Sequence, residues 1–156
     1  MFNLNIIAIG NIKENYLKLG IEEFNKRLSS YVDLSIREID ETQVKISSQE
    51  TLIEKALMVD ANKIIQLIPK QTYLIVMDLN GQVMKSENLA KKIEQIQNQS
   101  GSLTIIIGGS HGLHPSIKKI AKESWSFSPL TFPHQLFRLL LLEQLYRSMT
   151  LSLIHI

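Results

Sequence analysis

The chain alternates short, continuous apolar runs with longer segments in which apolar residues recur every three or four positions. The continuous runs are typical of buried strands, and the longer spacing indicates helices with one apolar face. Leu17, Ile21, Phe24 and Leu28 mark the first such helix. The other predicted helices cover residues 52–68, the stretch after Ser86, residues 115–124 and the segment that Pro133 opens, and the predicted strands cover 4–10, 31–40, 72–79, 102–109 and 125–128.

Three short polar signals set the expected boundaries of these elements. Ser47 followed by Glu50 resembles a capping box at the start of the second helix. The pair Asn80-Gly81 predicts a turn that closes the third strand. Ser86 is expected to cap the third helix.

Alternating strands and helices, with each strand a solid apolar run, predict an α/β fold. Such strands form a mostly parallel sheet that helices cover on both faces. The sequence shows no internal repeat, low-complexity tract or linker, so we expect a single domain over residues 1–156.

The last helix is apolar in almost every direction. Between Leu136 and Met149 the apolar residues do not form a single stripe, so this helix must be buried on more than one side. One side would face its own sheet, and another would face a second subunit in a homodimer. A central core helix in a monomer is the alternative.

The composition and the charge of the chain limit the kinds of function that it can have. The net charge is +2 and the pI is about 8.8, which permits a nucleic-acid partner without requiring one. The chain has no cysteine, which excludes disulfides and thiol nucleophiles. The opening MFNLNIIAIG lacks the basic segment of a signal peptide, and charged residues interrupt LFRLLLLEQLY well below the about 20 residues of a membrane span. We expect a cytoplasmic protein without a membrane segment.

The stretch IIIGGSHGLHP, residues 105–115, places two glycines at the end of a buried strand. Ligands of open parallel sheets bind beyond the carboxyl ends of the strands, and glycine lets a ligand approach the main chain. The pattern matches neither the dinucleotide fingerprint nor the Walker phosphate loop. Gly108 and Gly109 therefore indicate either a ligand-binding loop or simply a tight turn.

A second loop, FSPLTFPHQ at residues 127–135, precedes the apolar last helix. It combines apolar side chains with free backbone amides and carbonyls, which suits a neutral heterocycle such as adenine. Its two prolines would equally suit a rigid connector between a strand and a helix.

The four histidines do not form a recognisable metal or catalytic set. His111 and His114 lie three residues apart without a cysteine or a third nearby ligand, so we expect no metal site. His134, in the first turn of the last helix, is expected to cap or pack. No spacing indicates a Ser/His/Asp arrangement.

Three segments together resemble one family. IIIGGSHGLHP, WSFSPLTFPHQLFRLLLLEQLYRS and the opening NIIAIGNIKENYLKLGIEEFNKRL are similar to the bacterial 23S rRNA pseudouridine N3-methyltransferases of the SPOUT class. The resemblance covers residue 1 to about Arg147. It implies an α/β fold with a C-terminal trefoil knot and a homodimer through the C-terminal helix.

The resemblance also implies a cofactor, S-adenosylmethionine, bound in the knot. Carried over residue by residue, its contacts fall on the end of the third strand, on the glycine loop and on the 127–132 loop, namely Met77, Gly108, Phe127, Ser128, Pro129, Leu130, Thr131 and Phe132. Gly108 would give bare backbone for the cofactor to lie against.

The implied reaction methylates N3 of a pseudouridine in 23S rRNA, on assembled ribosomes. It needs no metal, because the methyl group is already activated and the protein has only to align it and remove a proton. One departure concerns the end of the chain, SMTLSLIHI, which lacks the family's Tyr-His pair and basic residue. His155 lies near that place without matching the motif, so the sequence assigns no catalytic residue. A non-catalytic ribosome-binding protein that keeps the knot and the pocket is the alternative.

Overall fold

The computed structural model describes residues 1–45 and 49–154. Ser47, the expected capping residue, and His155 lie outside these residues. Ten elements follow one another in strict alternation, which confirms the α/β prediction. In chain order they are β1 (Asn3–Ile9), α1 (Asn15–Leu28), β2 (Asp33–Ile39), α2 (Glu50–Leu67), β3 (Tyr73–Val83), α3 (Ser86–Gln99), β4 (Ser102–Ile107), α4 (Pro115–Ile120), β5 (Glu123–Ser126) and α5 (His134–Ile154).

The five strands form one sheet in the order β2-β1-β4-β3-β5, and every neighbouring pair is parallel. Ile6 of β1 lies between Ile36 of β2 and Ile105 of β4, and Ile105 also pairs with Ile75 of β3. Since all strands run the same way, the loops that follow them meet at one edge, where open α/β sheets bind ligands.

Each face of the sheet carries its own apolar core, as predicted. The larger core packs α1, α3 and α5 against one face and contains Trp125, which is fully buried. The smaller core packs α2 and α4 against the other face, around Ile7 and Ile106. The trefoil knot and the single domain over residues 1–156 stay predictions.

Helix α5 lies against the sheet and contacts both α1 and α3. Leu141 and Leu145 are fully buried, whereas Leu136 and Leu140 on the outward side are only half-buried. Contacts with the sheet, α1 and α3 therefore explain why apolar residues occur on several sides of α5. The outward side of the helix is still available to contact a second subunit.

Two boundary predictions are wrong. Asn80-Gly81 does not end β3, because the strand continues to Val83 with an irregularity at which Met77 and Gln82 both pair with Trp125. Ser86 is the first residue of α3 and not its cap, and its hydroxyl is hydrogen-bonded to the Gln144 side-chain oxygen at 3.0 Å.

The bounds of α4 and β5, the two elements that precede α5, also differ slightly from the prediction. Helix α4 stops at Ile120, and β5 begins at Glu123, two residues before the predicted strand. Within the described residues, none of the helices has the length and apolarity needed to cross a membrane.

Candidate functional site

A cavity of about 410 Å³ opens at the carboxyl edge of the sheet, over the ends of β3, β4 and β5. This volume is within the range of sites that enclose small organic ligands. Its walls are the end of β3, the loop after β4, the loop after β5 and the first turn of α5. The position is the one expected for a ligand site in a parallel sheet.

Seven of the eight residues predicted to contact a cofactor line this cavity, namely Met77, Gly108, Phe127, Ser128, Leu130, Thr131 and Phe132. Pro129 does not line it, although it lies in the same loop. The structure therefore brings together three segments that are far apart in the sequence. Whether these residues contact a cofactor stays a prediction.

The glycine loop is held by close contacts within its own main chain. A Cβ on Gly108 would lie 2.8 Å from the backbone carbonyl carbon and oxygen of Gly112. Gly112 has a φ of +79°, in the left-handed region that favours glycine, and its N–H donates to the Gly109 carbonyl at 3.1 Å. Gly108 is thus required first by the fold of its own loop, before any ligand is considered.

Glu41, which follows β2, anchors the same loop from outside. Its carboxylate accepts a hydrogen bond from the Ser110 N–H at 2.7 Å and another from the Ser110 hydroxyl at 3.0 Å. It also occupies the space that a side chain on Gly109 would need. No sequence pattern indicates this contact, because the two residues are 69 positions apart.

The loop after β5 supplies an apolar wall with local hydrogen bonds. The Ser126 hydroxyl donates to the Ser128 carbonyl at 3.1 Å, and the Ser128 hydroxyl accepts from the Leu130 N–H at 3.0 Å. The rings of Phe127 and Phe137 lie 5.7 Å apart between centroids. Aromatic walls and a short polar loop suit a flat heterocycle with hydrogen-bonding edges.

Three ionisable side chains line the cavity: Asp78, Lys118 and His134. Asp78 and Lys118 form an ion pair at 3.1 Å. The His134 imidazole lies outside this ion pair, and the residue is half-buried. The sequence alone did not identify any of the three as a cavity residue. They come together only because of the order of the strands in the sheet.

The other described histidines have different surroundings. His111 is exposed and does not line the cavity. His114 caps α4, since its Nδ1 accepts a hydrogen bond from the Ser116 N–H at 3.1 Å. Across residues 1–45 and 49–154 the structure contains no cluster of three or more His, Asp or Glu side chains able to hold a metal ion.

Comparison with known proteins adds a family and named relatives. The family model described as "Predicted SPOUT methyltransferase" matches residues 2–155. A protein of Finegoldia magna named ribosomal RNA large subunit methyltransferase H is 46% identical over 151 residues, which cover 94% of this chain and 92% of the relative.

Two further relatives carry the same name. The protein of Halothermothrix orenii is 42% identical over 146 residues, 93% of this chain and 92% of its own length. The protein of Clostridium botulinum strain Eklund 17B is 43% identical over 153 residues, 96% of this chain and 95% of its own length. The similarity therefore includes both cavity loops.

Proposed function

The chain belongs to the SPOUT methyltransferase family, and we propose that it transfers a methyl group from S-adenosylmethionine to N3 of a pseudouridine in 23S ribosomal RNA. The relatives that match nearly the whole chain are named as large-subunit rRNA methyltransferases. A non-catalytic ribosome-binding role is not favoured, because the family and the relatives that match nearly the whole chain are named as methyltransferases.

The observation that carries the proposal is the position of the cavity. Three separate segments, around Met77, Gly108 and Phe127, converge on one space of about 410 Å³ at the carboxyl edge of the sheet. The donor set fits S-adenosylmethionine, because aromatic side chains can cover an adenine ring and the loop backbone can bind its polar edge. The cofactor supplies an activated methyl group, and the protein has to hold it next to the base and exclude water.

Leu130 and Phe132 stand at the rim of this space, 69% and 39% exposed. A bound cofactor and a bound base would cover these side chains, which favours a site that is completed on binding. We assign Pro129 a supporting role, because its ring fixes the backbone next to Leu130 and its nitrogen offers no hydrogen bond.

We further propose that the substrate is the ribosome in the cytoplasm and that the active form is a homodimer. A net charge of +2 is small for a protein that binds free RNA through phosphates alone. The half-buried outward side of α5, with Leu136 and Leu140, is the surface that a second subunit would cover. Two copies would present twice the charge and a larger surface to the ribosome.

The test is methylation of ribosomes isolated from cells that lack this activity. With S-adenosylmethionine and the purified protein, we expect one pseudouridine of 23S rRNA to gain a methyl group that mass spectrometry detects. Methylation at N3 blocks the pairing edge of the base, so primer extension should stop there. Protein-free 23S rRNA serves as the parallel substrate and should react much more slowly. Methylation of another base, or none, would contradict the proposal.

Metal independence is tested separately by calorimetry. Cofactor affinity should be the same with and without a chelator, because the proposed contacts are apolar groups and backbone amides. Loss of binding on addition of the chelator would show that the site has been assigned the wrong chemistry.

A further inference from the structure

Four described carboxylates near the carboxyl edge of the sheet have hydrogen-bond or ion-pair partners within the chain. Both oxygens of Asp78 have partners, since Lys118 lies 3.1 Å from one and the Asn80 N–H donates to the other at 3.2 Å. Glu41 binds Ser110, as described above. The Asp40 carboxylate accepts a hydrogen bond from the Asn11 side chain at 2.6 Å. The Glu38 carboxylate accepts hydrogen bonds from the Arg138 guanidinium and from the Ile12 N–H. Of these four residues only Asp78 lines the cavity, and both of its oxygens already have partners within the chain.

Of the three ionisable side chains that line the cavity, His134 is the one outside the Asp78–Lys118 ion pair. It is the first residue of α5, it is half-buried, and it lines the cavity together with Phe132 and Phe137. Its Nε2 lies 4.0 Å from the point where a Cβ on Gly10 would be, which places the ring at the end of β1. The Asp78–Lys118 pair lies beyond β4, at the end of β3.

A base of this kind is required by the proposed reaction. Pseudouridine N3 carries an imide proton, and its nitrogen becomes a good nucleophile only as that proton leaves. Imidazole, with an ordinary pKa of about 6.5, is the side chain best suited to accept a proton near neutral pH. The acceptor must reach N3 while N3 faces the methyl group, so it has to line the same cavity.

We propose that His134 is the general base of the methyl transfer, an inference that rests on the proposed function. As the bond between N3 and the methyl carbon forms, the bond between that carbon and the sulfonium sulfur breaks, and its electron pair stays on sulfur. The N3 proton moves to an imidazole nitrogen of His134. The products are N3-methylpseudouridine, S-adenosylhomocysteine and the imidazolium of His134, which returns its proton to water.

The test uses the full-length protein with His134 replaced by Asn or by Ala. Single-turnover methylation of ribosomes at pH 7 should fall about 100-fold or more. The dissociation constants for S-adenosylhomocysteine and for ribosomes should stay within about twofold of the wild-type values, because the imidazole is assigned to proton transfer and not to binding. The rate of His134→Asn should rise with pH as the imide ionises by itself, and added imidazole should partly restore His134→Ala.

A second readout does not depend on turnover. With nitrogen-labelled histidine, the His134 resonances should change when S-adenosylhomocysteine binds, because the imidazole lines the proposed cofactor cavity. Wild-type activity is the control that separates the two proposals, because an inactive wild-type protein overturns the reaction itself. Near-normal rates in both variants, or rate losses that follow weaker cofactor binding, would overturn the role of His134. So would a loss of methylation in His155→Ala while His134→Asn keeps a near-normal rate.

Discussion

The carboxylate of Glu41 accepts two hydrogen bonds from Ser110, one from its backbone N–H at 2.7 Å and one from its hydroxyl at 3.0 Å. Through this contact the segment after β2 holds the glycine loop after β4. Because Gly109 and Ser110 line the cavity, the shape of the cavity depends on a residue outside its walls.

Replacing Glu41 by Ala should therefore weaken binding of S-adenosylmethionine without unfolding the protein. The contact is exposed to water, so we expect a loss of about 1 kcal/mol, or roughly fivefold in the dissociation constant. Calorimetry measures it, with Glu50→Ala at the exposed start of α2 as the matched control. An unchanged dissociation constant for Glu41→Ala would mean that the loop holds its shape alone.

Gly108→Ala should distort the same loop from within. The added methyl group would lie 2.8 Å from the Gly112 backbone, so one of the two segments has to move. We expect cofactor affinity to fall at least about tenfold and stability to fall by about 1–3 kcal/mol. Gly101→Ala is the control, because nothing lies within 4 Å of a Cβ there. If the two variants bind the cofactor equally well, the crowding at Gly108 has no functional consequence.

The inner strands β1 and β4 were predictable because each is a largely apolar run that both faces of the sheet bury. The misassigned end of β3 shows the limit of such reasoning. Asn80-Gly81 has the composition of a turn, yet β5 packs so closely that a Cβ on Gly81 would lie 2.7 Å from the Ser124 backbone. The glycine serves this close approach between strands, which only the three-dimensional pairing reveals.

The residues of the candidate site also fall into two groups, those that the sequence indicates and those that only the three-dimensional structure reveals. Gly108 and the loop from Phe127 to Phe132 each lie in a short stretch of unusual composition, which drew attention to them as possible ligand-binding loops. Glu41 and Lys118 reach the site only because the strand order places β2, β1, β4 and β3 side by side, and that order is not encoded in any local pattern. Long-range contacts of this kind have no periodic signature.

Substitutions at two neighbouring leucines of α5 should affect folding and dimer formation separately. Leu141 is fully buried in the larger core, so Leu141→Arg places an unpaired charge there and should cost about 3–5 kcal/mol. Leu140 is half-buried on the side that carries the exposed Glu143–Arg147 ion pair. Leu140→Arg should leave the fold intact and weaken the dimer.

Thermal unfolding and analytical ultracentrifugation measure the two effects independently. We expect Leu141→Arg to lower the melting temperature strongly and Leu140→Arg to change the sedimentation coefficient toward that of a monomer. A Leu140→Arg protein that sediments as the wild type does would contradict the assignment of this side of α5 to the dimer.

A polar cluster around Glu123 lies at the start of β5, and one of its members, Trp125, also lines the cavity. Lys92 lies 2.7 Å from its carboxylate, the Trp125 indole N–H donates to it at 3.2 Å, and the Tyr73 hydroxyl donates to it as well. Burial by itself would raise the pKa of Glu123, but these partners outweigh it and hold that pKa below its usual value. Burial, together with the Glu123 carboxylate, raises the pKa of Tyr73 to about 12.

These shifts fix the sign of the pH dependence. A carboxyl group with a lowered pKa in the folded protein stabilises it above the pKa of the unfolded chain, and this contribution disappears as the pH falls through the folded value. Tyr73 acts on the alkaline side, where its contribution is complete below its ordinary pKa of 10.0 and is lost as the pH rises through about 12. The cluster should therefore stabilise the fold around neutral pH, and this stabilisation should be lost at strongly acidic and at strongly alkaline pH.

Glu123→Gln should lower the free energy of unfolding at pH 7 by about 1–3 kcal/mol, because it removes a partly buried charge from three partners. The difference from the wild type should shrink as the pH falls below about 4, where the unfolded-state carboxyl is protonated and the wild type loses the same contribution. Urea unfolding over a series of pH values measures this. The matched control is Glu23→Gln, which breaks an exposed pair with Arg27 on α1 and should cost less than about 0.5 kcal/mol at any pH. A Glu123→Gln difference that is equally large at low and at neutral pH would mean that shape, and not charge, accounts for the role of Glu123.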